Sequence, residues 1–421
     1  MDIYAMAMKT CFIKRKPRKI DPYNFLNLFC SLAVQGASSF NSIAARYSTD
    51  YSDIASKQAI SKKIKAECLD FFKSILSLII KTRLIKDESE TMIFFKKYKR
   101  VLVQDSTIIK LPFRLFDSFS GVKNAYTSFC NARIQGVYNL VSGTFISFSI
   151  DPFYKNDLLT APQLEICKGD LTLRDRGYFS IDEIQRHIDA GADCIFRFKT
   201  KTILIDPKSG VPIDLLKCLK RNKFLDKEVC LNNKENTKVR LVAVPVSEDI
   251  ANRRRANAKK NFNRHNPSKD VLELMSWTIF ITTIPKEEAC FNKILKIYSL
   301  RWRIEIIFKA WKSYAAFERF HNISENHLKI LITARFIMIV IFTHHIYVPW
   351  SVNIKKKYNR DVSLLKMFCF LIKNIEQIVI FLESLLNEKR CLAEKIILKF
   401  CMYDKRERLN FIQIYEDIAL S

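Results

Sequence analysis

The stretch YSLRWRIEIIFKAWK, Tyr298 to Lys312, says more about this chain than any other part of it. Its Tyr298, Arg301, Glu305 and Lys312 stand at offsets of 0, 3, 7 and 14. On one continuous helix, at ~100° per residue, the four fall within about 60° of one another on a single face. That face would project a carboxylate, two cations and a phenol into the same space. Such a grouping suits a site that holds a cationic metal beside a polyanionic backbone. Taken alone, the segment also reads as an amphipathic helix with incidental i,i+4 pairs.

Composition points the same way. The chain has 421 residues, enough for two or three domains and a sizeable core. Lys and Arg total 70 against 43 for Asp and Glu, a net charge of +27. No fold requires that excess, and it speaks for a polyanionic partner. The charge is spread along the chain, with runs at Lys14-Arg15-Lys16-Pro17-Arg18-Lys19, Lys96-Lys97-Tyr98-Lys99-Arg100 and Arg253-Arg254-Arg255. Spread charge favours DNA held by several domains over a single basic tail.

The twelve cysteines include no CxxC pair, which excludes a zinc ribbon. Most, such as Cys194 and Cys369, sit in apolar company and read as small hydrophobes in a reducing cytosol. Six dispersed histidines exclude a His-based metal site, and His344-His345 reads as incidental. The apolar run Ile330 to Thr343 is short and carries Arg335, so a buried helix is expected there and no membrane span.

The spacing Tyr-x2-Arg-x3-Glu-x6-Lys resembles the signature of the IS-four family of insertion-sequence transposases, and is closest to the subgroup typified by the transposase of transposon five. The similarity covers most of residues 35–345. The family carries two Asp and one Glu on a ribonuclease-H-like core. Asp105 ends the apolar run Val101-Leu102-Val103-Gln104 and precedes Ser106-Thr107, as first aspartates of the family often do. Asp175 opens Asp175-Arg176-Gly177-Tyr178-Phe179, which resembles the second-aspartate motif. Asp105, Asp175 and Glu305 are therefore the expected catalytic residues and metal ligands. Two Mg²⁺ ions, with Mn²⁺ as substitute, would lie about 3.5–4 Å apart, Asp105 touching both and the other carboxylates one each.

Arg301 and Lys312 are expected to grip phosphates beside the scissile bond, and Tyr298 to add a hydrogen bond. Arg174 and Arg176 flank Asp175 and pair with core acids or touch DNA. Trp277 stands 21 residues before Tyr298, as the insertion-domain Trp does in the transposon-five type, where it stacks on a flipped base. A core Trp on a strand is the alternative.

The expected architecture is α/β, a ribonuclease-H-like catalytic core interrupted by a β-rich insertion, with helical N-terminal and C-terminal regions. Residues 1–95 form a basic helical DNA-binding region whose first twenty residues are loose. Within it Ser56 to Lys63 is the expected DNA-contacting helix, with Gln58, Ser61 and Lys62 reaching bases or phosphates. The core's first part spans 96–199, with strands from Val101, at 133–141, 144–150, 170–174 and 194–198, and helices at 157–167 and 180–190. Residues 200–285 form the insertion, with a mobile basic loop from Arg253 to His265. The core resumes over 286–345 with the Glu-bearing helix, and 346–421 is helical with a polar interruption from Pro349 to Arg360.

The resemblance implies cut-and-paste transposition of an element bounded by terminal inverted repeats, carried out on double-stranded DNA by a homodimer in the bacterial cytoplasm, at the nucleoid. A nuclease or copying recombinase on the same core, or an inactivated relative that only binds DNA, would share many of these features. All three carboxylates are present, which weighs against inactivation.

Overall fold

A computed structural model describes the chain except residues 1, 18, 37–38, 83–96, 124–127, 223, 262–266, 321–322, 387–390, 405–409 and 421. Arg18 and Lys96 of the basic runs, and the end of the Arg253–His265 segment, thus lie outside the described residues. Two compact units result. The first comprises Met1–Thr91, Ser106–Lys155 and Trp302–Ile412, and the second Met92–Asp105, Asn156–Arg301 and Gln413–Ser421. These bounds cut across the segments read from the sequence: 96–199 is shared between both units, and 200–285 lies inside the second.

The first unit opens with five helices: α1 (Ile3–Lys9), α2 (Pro22–Gln35), α3 (Phe40–Tyr51), α4 (Lys57–Lys63) and α5 (Ala66–Lys81). Of the first twenty residues, those described are not loose throughout. Met6, Ala7, Phe12, Ile13 and Ile20 are buried, and Phe12 lies parallel on Phe71 with ring centroids 4.9 Å apart. Burying a large apolar side chain contributes ~1.5–3 kcal/mol, so five apolar residues outweigh the charge around them. α2 starts where Asp21 accepts the amides of Tyr23 and Asn24, with Pro22 in the first turn.

Strand β1 (Arg100–Lys110) passes through both units. In the first unit its second half neighbours a hairpin of β3 (Ser128–Asn139) and β4 (Thr144–Pro152), flanked by β2 (Ser120–Lys123). The hairpin turns at Gly143, whose φ of +66° and 2.9 Å gap from a built Cβ to Val348 Cγ2 leave room for glycine alone.

The same unit later adds α12 (Trp302–Tyr314), α13 (Glu325–Val340), α14 (Val348–Tyr358), α15 (Leu364–Lys373), α16 (Ile378–Leu386), α17 (Cys391–Phe400) and the start of α18 (Phe411–Leu420). α13 is its central helix and packs on α2 and α5. The expected buried helix is therefore present, and its Arg335 donates to the carbonyl of Ala33 at 2.7 Å while lying over the Phe320 ring at 4.5 Å. Carbonyl acceptors in place of a carboxylate satisfy this guanidinium. A π-helical segment, Ile341–Tyr347, joins α13 to α14. The span Glu325–Tyr358 is long and apolar enough to cross a bilayer, and 94% of its most apolar window is buried inside the protein. Of the interruption expected over Pro349 to Arg360, only the end breaks the helix: α14 runs to Tyr358 and Asn359 is left-handed at φ 48°. Pro349 itself sits in the first turn of α14, after the π segment has already displaced the hydrogen-bond ladder.

The second unit is a sheet with strand order β1-β5-β6-β10-β9-β8-β7. Its elements are α6 (Asp157–Thr160), β5 (Asp170–Arg174), α7 (Ile181–Asp189), β6 (Asp193–Arg197), β7 (Leu204–Ile205), α8 (Leu215–Asn222), β8 (Leu225–Leu231), β9 (Lys238–Pro245), α9 (Glu248–Asn261), α10 (Lys269–Leu274), β10 (Trp277–Thr282) and α11 (Phe291–Ser299). The helix expected over 157–167 stops early because Pro162 removes an amide. α7 matches its expected span, with Ser180 capping the Glu183 amide and Gly191 at φ +66° ending it. Residues 200–285 carry β7 to β10, and β10 pairs antiparallel with β6, so these strands continue the same sheet. Residues 253–261 are helical in α9, not a loop. Arg255 reaches Glu248, and Arg254 donates to the carbonyl of Trp277 at 3.1 Å.

Candidate active site

Within the second unit, β1 and β5 run parallel with Gln104 opposite Arg174. Asp105 on β1 and Asp175, directly after the end of β5, follow this pair of residues. The strands hold this register because Val101, Leu102, Val103, Leu171 and Leu173 are buried. Both aspartates are half-buried, each directly after a run of buried strand residues.

Two residues expected on DNA are turned to these carboxylates. Arg301 Nη1 lies 3.6 Å from Asp105 Oδ2, with side chains 7% and 18% exposed. At so low an exposure the charge pair is screened far less than a surface bridge. The buried Tyr298 hydroxyl donates to Asp175 Oδ1 and the Arg174 carbonyl, both at 3.4 Å. Burial pushes this phenol's pKa up, so it stays a donor. Its ring packs on Phe280 at 4.5 Å, and the Arg301 guanidinium lies 5.6 Å from its centroid. Arg174 is fully buried and pairs with Glu183 at 2.7 Å, itself bound by Arg186. Of the alternatives open for Arg174, the core ion pair is the one realised; Arg176 is exposed.

The single helix read from Tyr298 to Lys312 is two helices. α11 ends at Ser299, and the amides of Leu300 and Arg301 close on Ile297 and Tyr298 three residues back. This tightening is a 3₁₀-type turn, and it separates Tyr298 and Arg301 from the helix bearing Glu305 and Lys312. The unit boundary falls at the same place.

In the first unit, α12 is anchored by Ile304, Ile307, Phe308 and the fully buried Trp311, which packs on Phe145 at 5.1 Å and Phe317 at 5.4 Å. Arg303 is buried among phenols. It donates to Tyr347 at 3.0 Å and Tyr403 at 3.4 Å, with Phe411 against its face at 4.4 Å. These contacts fix the rotation of α12, which leaves Glu305 half-buried in its first turn. Lys312, 34% exposed, reaches the Ile108 carbonyl and lies 3.3 Å from Glu318. Trp302, which the sequence reading passed over, is 58% exposed and directly follows Arg301. Among the described residues no three or more His, Cys, Asp or Glu side chains gather into a ready-made metal site.

α4 presents Gln58, Ser61 and Lys62 to solvent while Ile60 is buried beneath them. Trp277 is half-buried against the core of the second unit. Replacing it by Ala is expected to cost about half of the ~3–5 kcal/mol typical for a core Trp. Thermal unfolding would register this, with Trp277→Phe recovering part. An unchanged melting temperature would release the ring from a packing role.

The profile of the Transposase DDE domain family matches residues 96–341. The transposase for insertion sequence element IS231B of Bacillus thuringiensis subsp. berliner is 26% identical over 363 residues, 80% of this chain and 75% of that protein. The transposase for insertion sequence element IS1151 of Clostridium perfringens is 25% identical over 402 residues, 88% and 83% of the respective chains. Among solved structures, the piggyBac transposase synaptic complex with hairpin DNA aligns over 98% of this chain and 84% of that chain, at a TM-score of 0.46 and 10% identity. With a match over more than half its length, spanning Asp105, Asp175 and Glu305, the chain belongs to the transposase DDE domain family and is an insertion-sequence DNA transposase.

Proposed function

We propose that this transposase binds the terminal inverted repeats of its element as a homodimer, cuts the strands there with divalent metal, and joins the freed 3′-hydroxyls to target DNA in a cut-and-paste cycle. One observation carries the reading: Asp105 and Asp175 directly follow the paired Gln104 and Arg174 of two parallel strands, half-buried, with a guanidinium beside one and a phenol on the other. Adjacent carboxylates in low dielectric need a compensating cation. Arg301 fills that need here, and oxygen donors of this kind suit Mg²⁺ or Mn²⁺. Asp105, Asp175 and Glu305 are the carboxylates that would hold them. When bound, such ions supply an activated water and stabilise the leaving oxygen.

The remaining residues bind and orient. Tyr298, kept neutral by burial, holds the Asp175 carboxylate in place. Arg301, once released from Asp105, offers a planar fork to the phosphate next to the scissile bond. Lys312 adds a point charge two turns beyond Glu305. Trp277 and the more exposed Trp302 are the candidates for stacking on a displaced base. The chain order β1, β3, β4, β5, α7, β6 supports a ribonuclease-H-like core, and exposed Gln58 and Lys62 on α4 support end recognition by the N-terminal helices.

The test is incubation with duplexes carrying the element's ends and Mg²⁺. Cuts at the ends and joined products are expected, and none in EDTA. Cleavage in EDTA would remove the metal from the reading. Cutting of unrelated DNA at the same rate would make the chain a nuclease, and binding without cutting an inactive relative.

A further inference from the structure

A basic cleft in the first unit lies outside everything the catalytic reading uses. It measures about 570 Å³ and opens between residues 11–20 and the corner of α4 and α5. Lys14, Arg15, Lys16 and Lys19 line one wall, Lys62 and Lys65 the other, and Glu67 is the one acid among the described lining residues. Six like charges around one opening repel unless a polyanion lies between them.

The walls are fixed, unlike those of a basic tail. Phe12 stacks on Phe71 within 2° of parallel, and Ile13 and Ile20 are buried. Lys63 is used to hold the two walls together: its ammonium donates to the Phe12 carbonyl at 2.9 Å and lies 4.7 Å over the Phe12 ring. The six other cations all remain exposed.

The lining also excludes other occupants. It contains no Asn, Gln, Ser, Thr or Tyr to read base edges, and its one aromatic ring, Phe12, faces inward. Of the side chains that can reach base edges it holds only cations, which serve phosphate oxygens first, and single-strand binding needs exposed rings. What remains is the phosphodiester backbone of a duplex. Resting on the reading that the protein binds DNA ends, we propose that this cleft clamps one duplex strand through its phosphates without regard to sequence. Gln58 and Ser61, outside the cleft on α4, face the bases. Lys62 thereby becomes a backbone contact.

The experiment compares wild type, the triple variant Lys14→Gln, Arg15→Gln, Lys16→Gln, and Gln58→Ala. Each is titrated with an end duplex and an unrelated duplex of equal length, over 50–200 mM KCl (a range of roughly fourfold that resolves counterion release). Losing three phosphate contacts should make the slope of log K against log salt shallower by about 2.7, at roughly 0.9 per contact. Near 0.1 M salt that corresponds to roughly a several-hundredfold loss on both duplexes alike. Gln58→Ala should instead narrow the ratio between the duplexes. Wild type that binds but a triple variant with an unchanged slope would overturn the cleft. So would a loss confined to the end duplex, or an equal slope change on neutralising Lys355, Lys356 and Lys357 at the end of α14. Wild type that binds neither duplex would instead overturn the end-binding reading itself. Lys14, Arg15, Lys16 and Gln58 are exposed, so the triple variant and Gln58→Ala should keep the wild-type melting temperature.

Discussion

Replacement of Asp105, Asp175 or Glu305 by Ala, one at a time, is expected to slow strand cleavage by at least about a thousandfold, or ~4 kcal/mol of barrier. Metal ligands serve chemistry, so binding to the element's ends should stay near wild type. The three variants should differ in stability, and the structure says how. Asp175→Ala gives up a long 3.4 Å contact to Tyr298 and should unfold near the wild-type temperature. Asp105→Ala takes a carboxylate away from the 7%-exposed Arg301 side chain and should unfold at a lower temperature than Asp175→Ala. Asp105→Asn keeps an acceptor there and is the cleaner variant. Single-turnover cleavage read beside thermal unfolding separates these effects. Cleavage within tenfold of wild type in a folded variant would strike that residue from the site.

Where local chemistry set the structure, the sequence was readable. Val101-Leu102-Val103 and Leu171-Thr172-Leu173 are buried runs bounded by Asp, and both became neighbouring strands. Ser180 and Gly191 are a cap and a stop, and α7 lies between them. The misses have equally definite causes. Hydrophobic periodicity continues unbroken through Leu300-Arg301, so it could not reveal the i→i−3 closure that parts Tyr298 from Glu305. Net charge hid the apolar residues that dock the N-terminal segment. α9 has no apolar stripe; Arg254 and Arg255 hold it through carbonyls and acids, which no pattern of hydrophobic spacing registers. The pairing of β10 with β6 joins residues some 85 positions apart and has no local signal. At the site, the resemblance named the carboxylates and cations. It did not tell that Arg301 and Tyr298 would face the aspartates, because that depends on tertiary burial.

Arg301 accordingly has two duties to test, as counter-ion of Asp105 without metal and as phosphate fork with DNA. Arg301→Gln is expected to lower cleavage by ~10²–10³-fold, the loss typical of one preorganised charge-stabilising donor. In the metal-free protein it should also lower the melting temperature, since the guanidinium 3.6 Å from Asp105 would be gone. Mg²⁺ or Mn²⁺ should restore more stability to this variant than it adds to wild type. A ligand stabilises by RT ln(1 + [L]/Kd), and with no guanidinium to displace, the metal binds more tightly. Arg301→Lys separates the duties. A single ammonium keeps the charge beside Asp105 but cannot form the planar fork, so metal-free stability should return while cleavage stays depressed. Thermal unfolding in EDTA and in a Mn²⁺ titration, beside end-cleavage rates, reads both. Full cleavage by the Lys variant would reduce Arg301 to bulk charge. A Mn²⁺ response identical in wild type and Arg301→Gln would show that the 3.6 Å pair plays no part in metal entry.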